Sequence, residues 1–166
     1  MNYLTYCFPR CCFFETKIND KDDRTVVPIQ WNDTVSFVPP IKEGQVIKVY
    51  DGDTITIATN MPYKYSPLYR FSVRLCGIDS PEIQGKTTEE REAAHKSQKA
   101  LEALLLHKVV RLTNVENEKY GRILAEVYVK DDAGKEIHVQ SWLLQQKYAV
   151  PYDGRKKQDF YPVVSG

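Results

Sequence analysis

Two acidic residues one glycine apart, Asp51 and Asp53, stand at the foot of an alternating apolar segment, "VYDGDTITIAT", Val49 to Thr59. Asp51-Gly52 reads as a two-residue hairpin turn of type I′, because both residue types accept positive φ. The turn leaves Asp53 unexplained, since aspartate is poorly suited to opening a strand. Further acids occur in "VRLCGIDSPE", where Asp79 and Glu82 flank Ser80-Pro81. Proline fixes its own φ and restricts the residue before it, so these two carboxylates are held close together on a rigid turn. Asp53, Asp79 and Glu82 are the oxygen donors that a hard divalent cation takes, with carbonyls and water completing the shell. Singly, each acid is most simply a solvated turn residue.

Two arginines add to this set. Phe71, Val73 and Leu75 alternate on a core side, which turns Ser72, Arg74 and Cys76 to the other face. Arg122 closes "NEKYGR", in which Tyr120-Gly121 turns into the next strand. A cation and two guanidinium forks are the parts needed to hold a phosphodiester and stabilise the charge that builds on it during attack.

The elements that must position these residues are legible by period. Val46–Tyr50, Thr54–Thr59, Tyr69–Cys76, Val109–Val115 and Arg122–Val129 alternate as strands. Thr87 with Glu90 forms a capping box, and Ala94, Ser97, Leu101, Leu104 and Leu105 share one face of the helix that follows, Thr87 to His107. Val139, Trp142, Leu143 and Gln146 suggest a shorter helix after the fifth strand. The fold class is therefore mainly β with helices (α+β), a five-stranded OB-type Greek-key barrel with two or three helices. Residues 1–40 have no sustained period and end at Val38-Pro39-Pro40, 41–154 carry the barrel, and 155–166 form a short tail with a basic run, Arg155-Lys156-Lys157.

At these residues the chain resembles the staphylococcal-nuclease-like (thermonuclease) family. The likeness covers about Gln45 to Asp153, through "DGDT", "VRLCGIDSPE", the helix with "EAA", "KYGR" and "LLQQKYA". Its specific parts are the spacing of Arg74, Asp79 and Glu82 and the Tyr-Gly-Arg turn after them. The resemblance implies that Asp53 and Asp79 bind calcium and that Ser80 adds its backbone carbonyl. It makes Glu82 the general base and gives Arg74 and Arg122 the phosphate, with Arg122 also serving the leaving 5′ oxygen. It further implies cleavage of both DNA and RNA to products with 3′-phosphates, and places Tyr120 and Tyr152 beside the bound nucleotide. Three acids and a carbonyl accommodate Mg2+ as well as Ca2+, with the looser oxygen cage favouring calcium. Lys147 departs from the pattern, standing where the family carries glycine.

The rest of the chain sets limits. Lys and Arg number 23 against 22 Asp and Glu, so affinity for a polyanion must come from placed residues and not from bulk charge. No secretion signal or membrane-spanning run is legible, which reads as an intracellular, cytoplasmic protein, and nothing indicates an oligomer. Cys76 reads as a small packing residue. Cys7, Cys11 and Cys12 cluster among aromatics in "YCFPRCCFFE". They are free thiols of a loose tail or sites for two acyl chains, the number that gives stable peripheral membrane attachment. The alternative to a nuclease is a non-catalytic OB-type module that binds nucleic acid or protein. Such a module has no need of a general base beside two metal ligands.

Overall fold

The computed structural model describes residues 27–154. Contacts divide the chain between Val35 and Ser36. In the first unit a 3-10 turn, Trp31–Asp33, is closed by the Gln30 amide donating to Asp33 Oδ2 at 2.8 Å. The second unit contains the barrel.

Three strands, β1 (Glu43–Val49), β2 (Thr54–Asn60) and β3 (Leu68–Leu75), form an antiparallel meander. A two-residue strand, β4 (Ile78–Asp79), precedes helix α1 (Thr88–Leu105), and the chain returns as β5 (Val109–Asn117) and β6 (Ile123–Lys130). The strand order β3-β2-β1-β5-β6 closes on itself because β6 also pairs parallel with β3, Val73 opposite Ile123 and Leu75 opposite Ala125. The expected five-stranded barrel is therefore present. Three short strands escape the periodicity because two or three residues are too few to show one: β4, β7 (Glu136–His138) on the free edge of β6, and β8 (Val150–Pro151), which pairs only with β4. Helix α2 (Val139–Gln145) lies between the last two.

Alternation fills the interior. Val46, Ile55, Ile57, Val73, Leu75, Val110 and Val127 are fully buried, and Leu101 and Leu105 of α1 and Leu143 of α2 plug the barrel. Each such side chain contributes about 1.5 to 3 kcal/mol through burial. Thr87 caps α1 by accepting from the Glu90 amide at 3.1 Å, but Glu90 does not reach back to Thr87: its Oε2 accepts from the Lys86 amide at 3.0 Å.

Lys147 has φ +59. Its amide donates to Leu144 O at 3.1 Å and that of Tyr148 to Leu143 O at 2.9 Å, the paired bonds of a Schellman end to α2. That left-handed position is why glycine suits the site. Lysine there costs about 1 to 2 kcal/mol of backbone strain and still adopts the motif.

Candidate active site

The turn joining β1 to β2 does not have the expected type I′ form. Neither Asp51 nor Gly52 has positive φ; Tyr50 N donates to Thr54 O at 2.9 Å around a longer loop, and Asp51 Oδ1 accepts from Asp53 N at 3.1 Å. Gly52 is required for a different reason. A Cβ there would lie 2.1 Å from Ser97 Oγ and 2.7 Å from Ser80 Cβ, so the absence of a side chain lets the turn seat against α1 and the Ser80 segment. Asp53 is thereby buried beside β3.

Arg74 gathers the acids. Its Nη1 donates to Asp53 Oδ1 at 2.8 Å and its Nη2 to Asp79 Oδ1 at 2.9 Å. Asp53 Oδ1 also accepts from Thr54 Oγ1 at 2.9 Å, and its Oδ2 from Ser80 N at 3.1 Å. Asp79 reaches this point because β4 is pinned by β8, with Asp79 opposite Val150. Burial opposes the charge on Arg74, but Asp53, Asp79 and Glu118 together hold the guanidinium above its ordinary pKa. For Asp53 burial wins: with Asp51 adding repulsion, its carboxyl is raised to about 6 despite Arg74.

Arg122 enters through a residue that periodicity did not single out. Glu118 Oε2 accepts from Arg122 Nε at 2.6 Å and Oε1 from Nη2 at 2.9 Å, while Oε1 also lies 4.0 Å from Arg74 Nε. The signal was present in "NEKYGR", an acid four residues before the arginine. Tyr152 packs its ring 5.9 Å from the Arg74 guanidinium carbon, and its amide donates to Gly77 O at 3.0 Å. A cavity of about 440 Å³ opens here, lined by Arg74, Gly77, Glu118, Lys119, Tyr152 and Gly154 among others. Glu82 is exposed on the turn after Ser80-Pro81. Tyr120 is 94% exposed, with φ +65 on the turn before Arg122. Cys76 is half-buried and burial pushes its thiol up, with Glu126 and Glu116 adding to the effect, in keeping with packing. Cys7, Cys11 and Cys12 lie outside the described residues.

For a hard cation the donors fit in kind. Two buried carboxylates and Ser80 converge, and hydrogen bonds to Asp53 use three of its roughly four lone-pair positions. Among the described residues no three His, Cys, Asp or Glu side chains form a ready-made cage, so an ion here would keep water in its shell.

Residues 72–162, more than half of the chain, match the family model described as staphylococcal nuclease homologue. The chain belongs to that family. Among relatives of this staphylococcal nuclease homologue is an uncharacterized endonuclease of Escherichia coli, 26% identical over 121 residues, 73% of this chain and 68% of that protein. Another from Haemophilus influenzae is 37% identical over 86 residues, 51% of this chain and 40% of that protein. A probable endonuclease LCL3 of Phaeosphaeria nodorum is 30% identical over 76 residues, 46% of this chain and 26% of that protein. The family match begins at Ser72, within β3, and so contains Arg74, Asp79, Ser80, Glu82, Glu118, Tyr120, Arg122 and Tyr152 but not Asp53. Among the described residues no helix is long and apolar enough to cross a membrane.

Proposed function

We propose that this staphylococcal nuclease homologue is a metal-dependent endonuclease, using calcium, that hydrolyses phosphodiester bonds of DNA and RNA and leaves 3′-phosphate ends. The observation that carries the reading is the single guanidinium of Arg74 ion-paired to both Asp53 and Asp79, with Arg122 joined to it through Glu118. The endonuclease names of the relatives support the reaction class.

Asp53, Asp79 and the Ser80 carbonyl would hold the cation, which when bound supplies charge stabilisation at a phosphoryl oxygen. Arg74 orients both carboxylates and presents its remaining polar edge to the phosphate. Glu82, exposed on the turn after Ser80-Pro81, would take the proton from the attacking water. Arg122 presents a two-pronged fork to the phosphate and favours departure of the 5′ oxygen. Tyr152, and Tyr120 on its exposed turn, offer rings to the flanking nucleotide. Acyl chains on Cys7, Cys11 and Cys12 would set where the enzyme acts and not what it does.

Steady-state cleavage of single-stranded DNA by Arg74→Lys and Arg122→Lys tests this assignment. Lysine keeps the charge but loses the fork, so each variant is expected to lose about two orders of magnitude in turnover. Normal cleavage by both would remove the clamp from the mechanism.

A further inference from the structure

Helix α1 packs against β1 and is tied to it at two places. Just past the C-terminus of α1 the tie is mostly backbone: His107 N donates to Val46 O and Val46 N to Lys108 O, both at 2.9 Å. Gln45 Nε2 adds a bond to His107 O at 3.0 Å. The second tie, further back along the helix, is made to the Tyr50–Thr54 turn by two consecutive side chains. Gln98 Nε2 donates to Tyr50 O at 2.8 Å. Ser97, fully buried, fills the space that a side chain on Gly52 would take. No step proposed above uses either residue.

The turn needs holding from outside. It carries two carboxylates one residue apart, Asp51 and Asp53, whose like charges work against a compact loop. Its own bonds, Tyr50 N to Thr54 O and Asp53 N to Asp51 Oδ1, move with it as a unit. They set its shape but not its distance from Ser80. Gly52 sets that distance, because it lies between Ser97 and Ser80, where an added Cβ would stand 2.1 Å from Ser97 Oγ and 2.7 Å from Ser80 Cβ. Arg74 also draws Asp53 inward, but through the same carboxylate oxygens that a cation would take. Gln98 holds the turn by its backbone and leaves every carboxylate oxygen available to an ion.

We propose that Gln98 is a positioning residue of the cation site: its bond to Tyr50 O keeps the turn seated on Ser97 and Ser80, so that Asp53 and the Ser80 carbonyl stay within reach of one ion. This role rests on the cation reading given above. Gln98 touches neither ion nor substrate and acts through the turn alone. A turn already in place spares the ordering that binding would otherwise cost, so losing Gln98 weakens calcium affinity and leaves the chemistry of the site unchanged.

Two measurements on the full chain test this role, calorimetric titration with calcium chloride and amide hydrogen exchange in chelator. Gln98→Met keeps the length and removes the donor, and should bind calcium about fivefold more weakly, the scale of one hydrogen bond. Gln98→Asn keeps the amide but is one methylene too short to span the gap, and should lose affinity to the same degree. In chelator, the amides of the Tyr50–Thr54 turn should exchange about fivefold faster in both variants than in wild type. Gln45→Met is the matched control, since it removes a glutamine bond to a backbone carbonyl at the other tie. It should keep calcium affinity within about twofold of wild type and leave exchange in the turn unchanged. The role is overturned if either Gln98 variant binds calcium like wild type, or if Gln45→Met weakens binding as much as they do, which would make the effect one of general stability. A wild type that binds no calcium would overturn the cation reading and this role with it, even with the exchange difference intact. Failure of the nuclease reading alone would look different: the affinities would order as expected, with no cleavage by calcium-loaded wild type.

Discussion

Glu118 closes both arms of Arg122, at 2.6 and 2.9 Å, in the geometry with which a guanidinium grips a phosphate. The pair spans one tight turn, since Glu118 N donates to Arg122 O at 2.9 Å and Tyr120 between them is left-handed. The carboxylate occupies the fork, and its Oε1 also lies 4.0 Å from Arg74 Nε. In the mechanism proposed above, a substrate phosphate replaces Glu118 before Arg122 acts.

Removing that charge should favour substrate. Glu118→Gln is expected to lower KM for single-stranded DNA by up to about fivefold, the scale of a partly exposed ion pair, with kcat little changed. Steady-state kinetics decides this. A raised KM would make Glu118 an aid to Arg122 and not its competitor.

Asp53 gives the metal-free protein a pH dependence of known sign. Its folded pKa, about 6, lies above the ordinary carboxylate value of 3.8. The folded state therefore binds the proton more tightly, and this group's stabilisation is fully present below 3.8 and lost as pH rises through about 6. The span corresponds to about 3 kcal/mol. In chelator, the difference in unfolding free energy between Asp53→Asn and wild type should rise in favour of the variant between pH 4 and pH 7, as most of this wild-type stabilisation, about 2 kcal/mol, is lost. Denaturant melts at the two pH values measure it; a constant difference would contradict the burial of Asp53 as a charge.

Gly52 and Ser97 should be coupled. Gly52→Ala is expected to destabilise by about 1 to 3 kcal/mol through overpacking, because its Cβ would meet Ser97 Oγ at 2.1 Å. Ser97 Oγ is buried with no hydrogen-bond partner among the described residues, so Ser97→Ala alone should be close to neutral. The double variant should recover part of the loss and leave the remainder due to Ser80 Cβ at 2.7 Å. Thermal melts of the three proteins give the coupling, and additive losses would mean that the clash is relieved elsewhere.

Strand alternation made the barrel legible, because Val73 and Leu75 could face the core only by turning Arg74 outward. The long helix was legible from its Thr87 cap and apolar stripe. What escaped depended on distance in the chain. That Arg74 binds Asp53 and Asp79 at once follows from the β2–β3 register and from β4 pairing with β8, and the two residues of each short strand carry no period. Gly52 looked like a turn glycine because its neighbour is aspartate, whereas its actual constraint is Ser97, on a helix far along the sequence. Glu118 was passed over because an acid before a turn is ordinary until its partner is seen.

Cleavage of a labelled single-stranded DNA by purified protein, in chelator and then with calcium restored, beside Glu82→Gln, tests the central claim most directly. The account predicts no cleavage in chelator, calcium-restored cleavage to fragments ending in 3′-phosphate, and a loss of about 100- to 10,000-fold in turnover for Glu82→Gln with binding retained. Binding without cleavage by wild type in calcium or magnesium, or equal turnover by the two proteins, would contradict it.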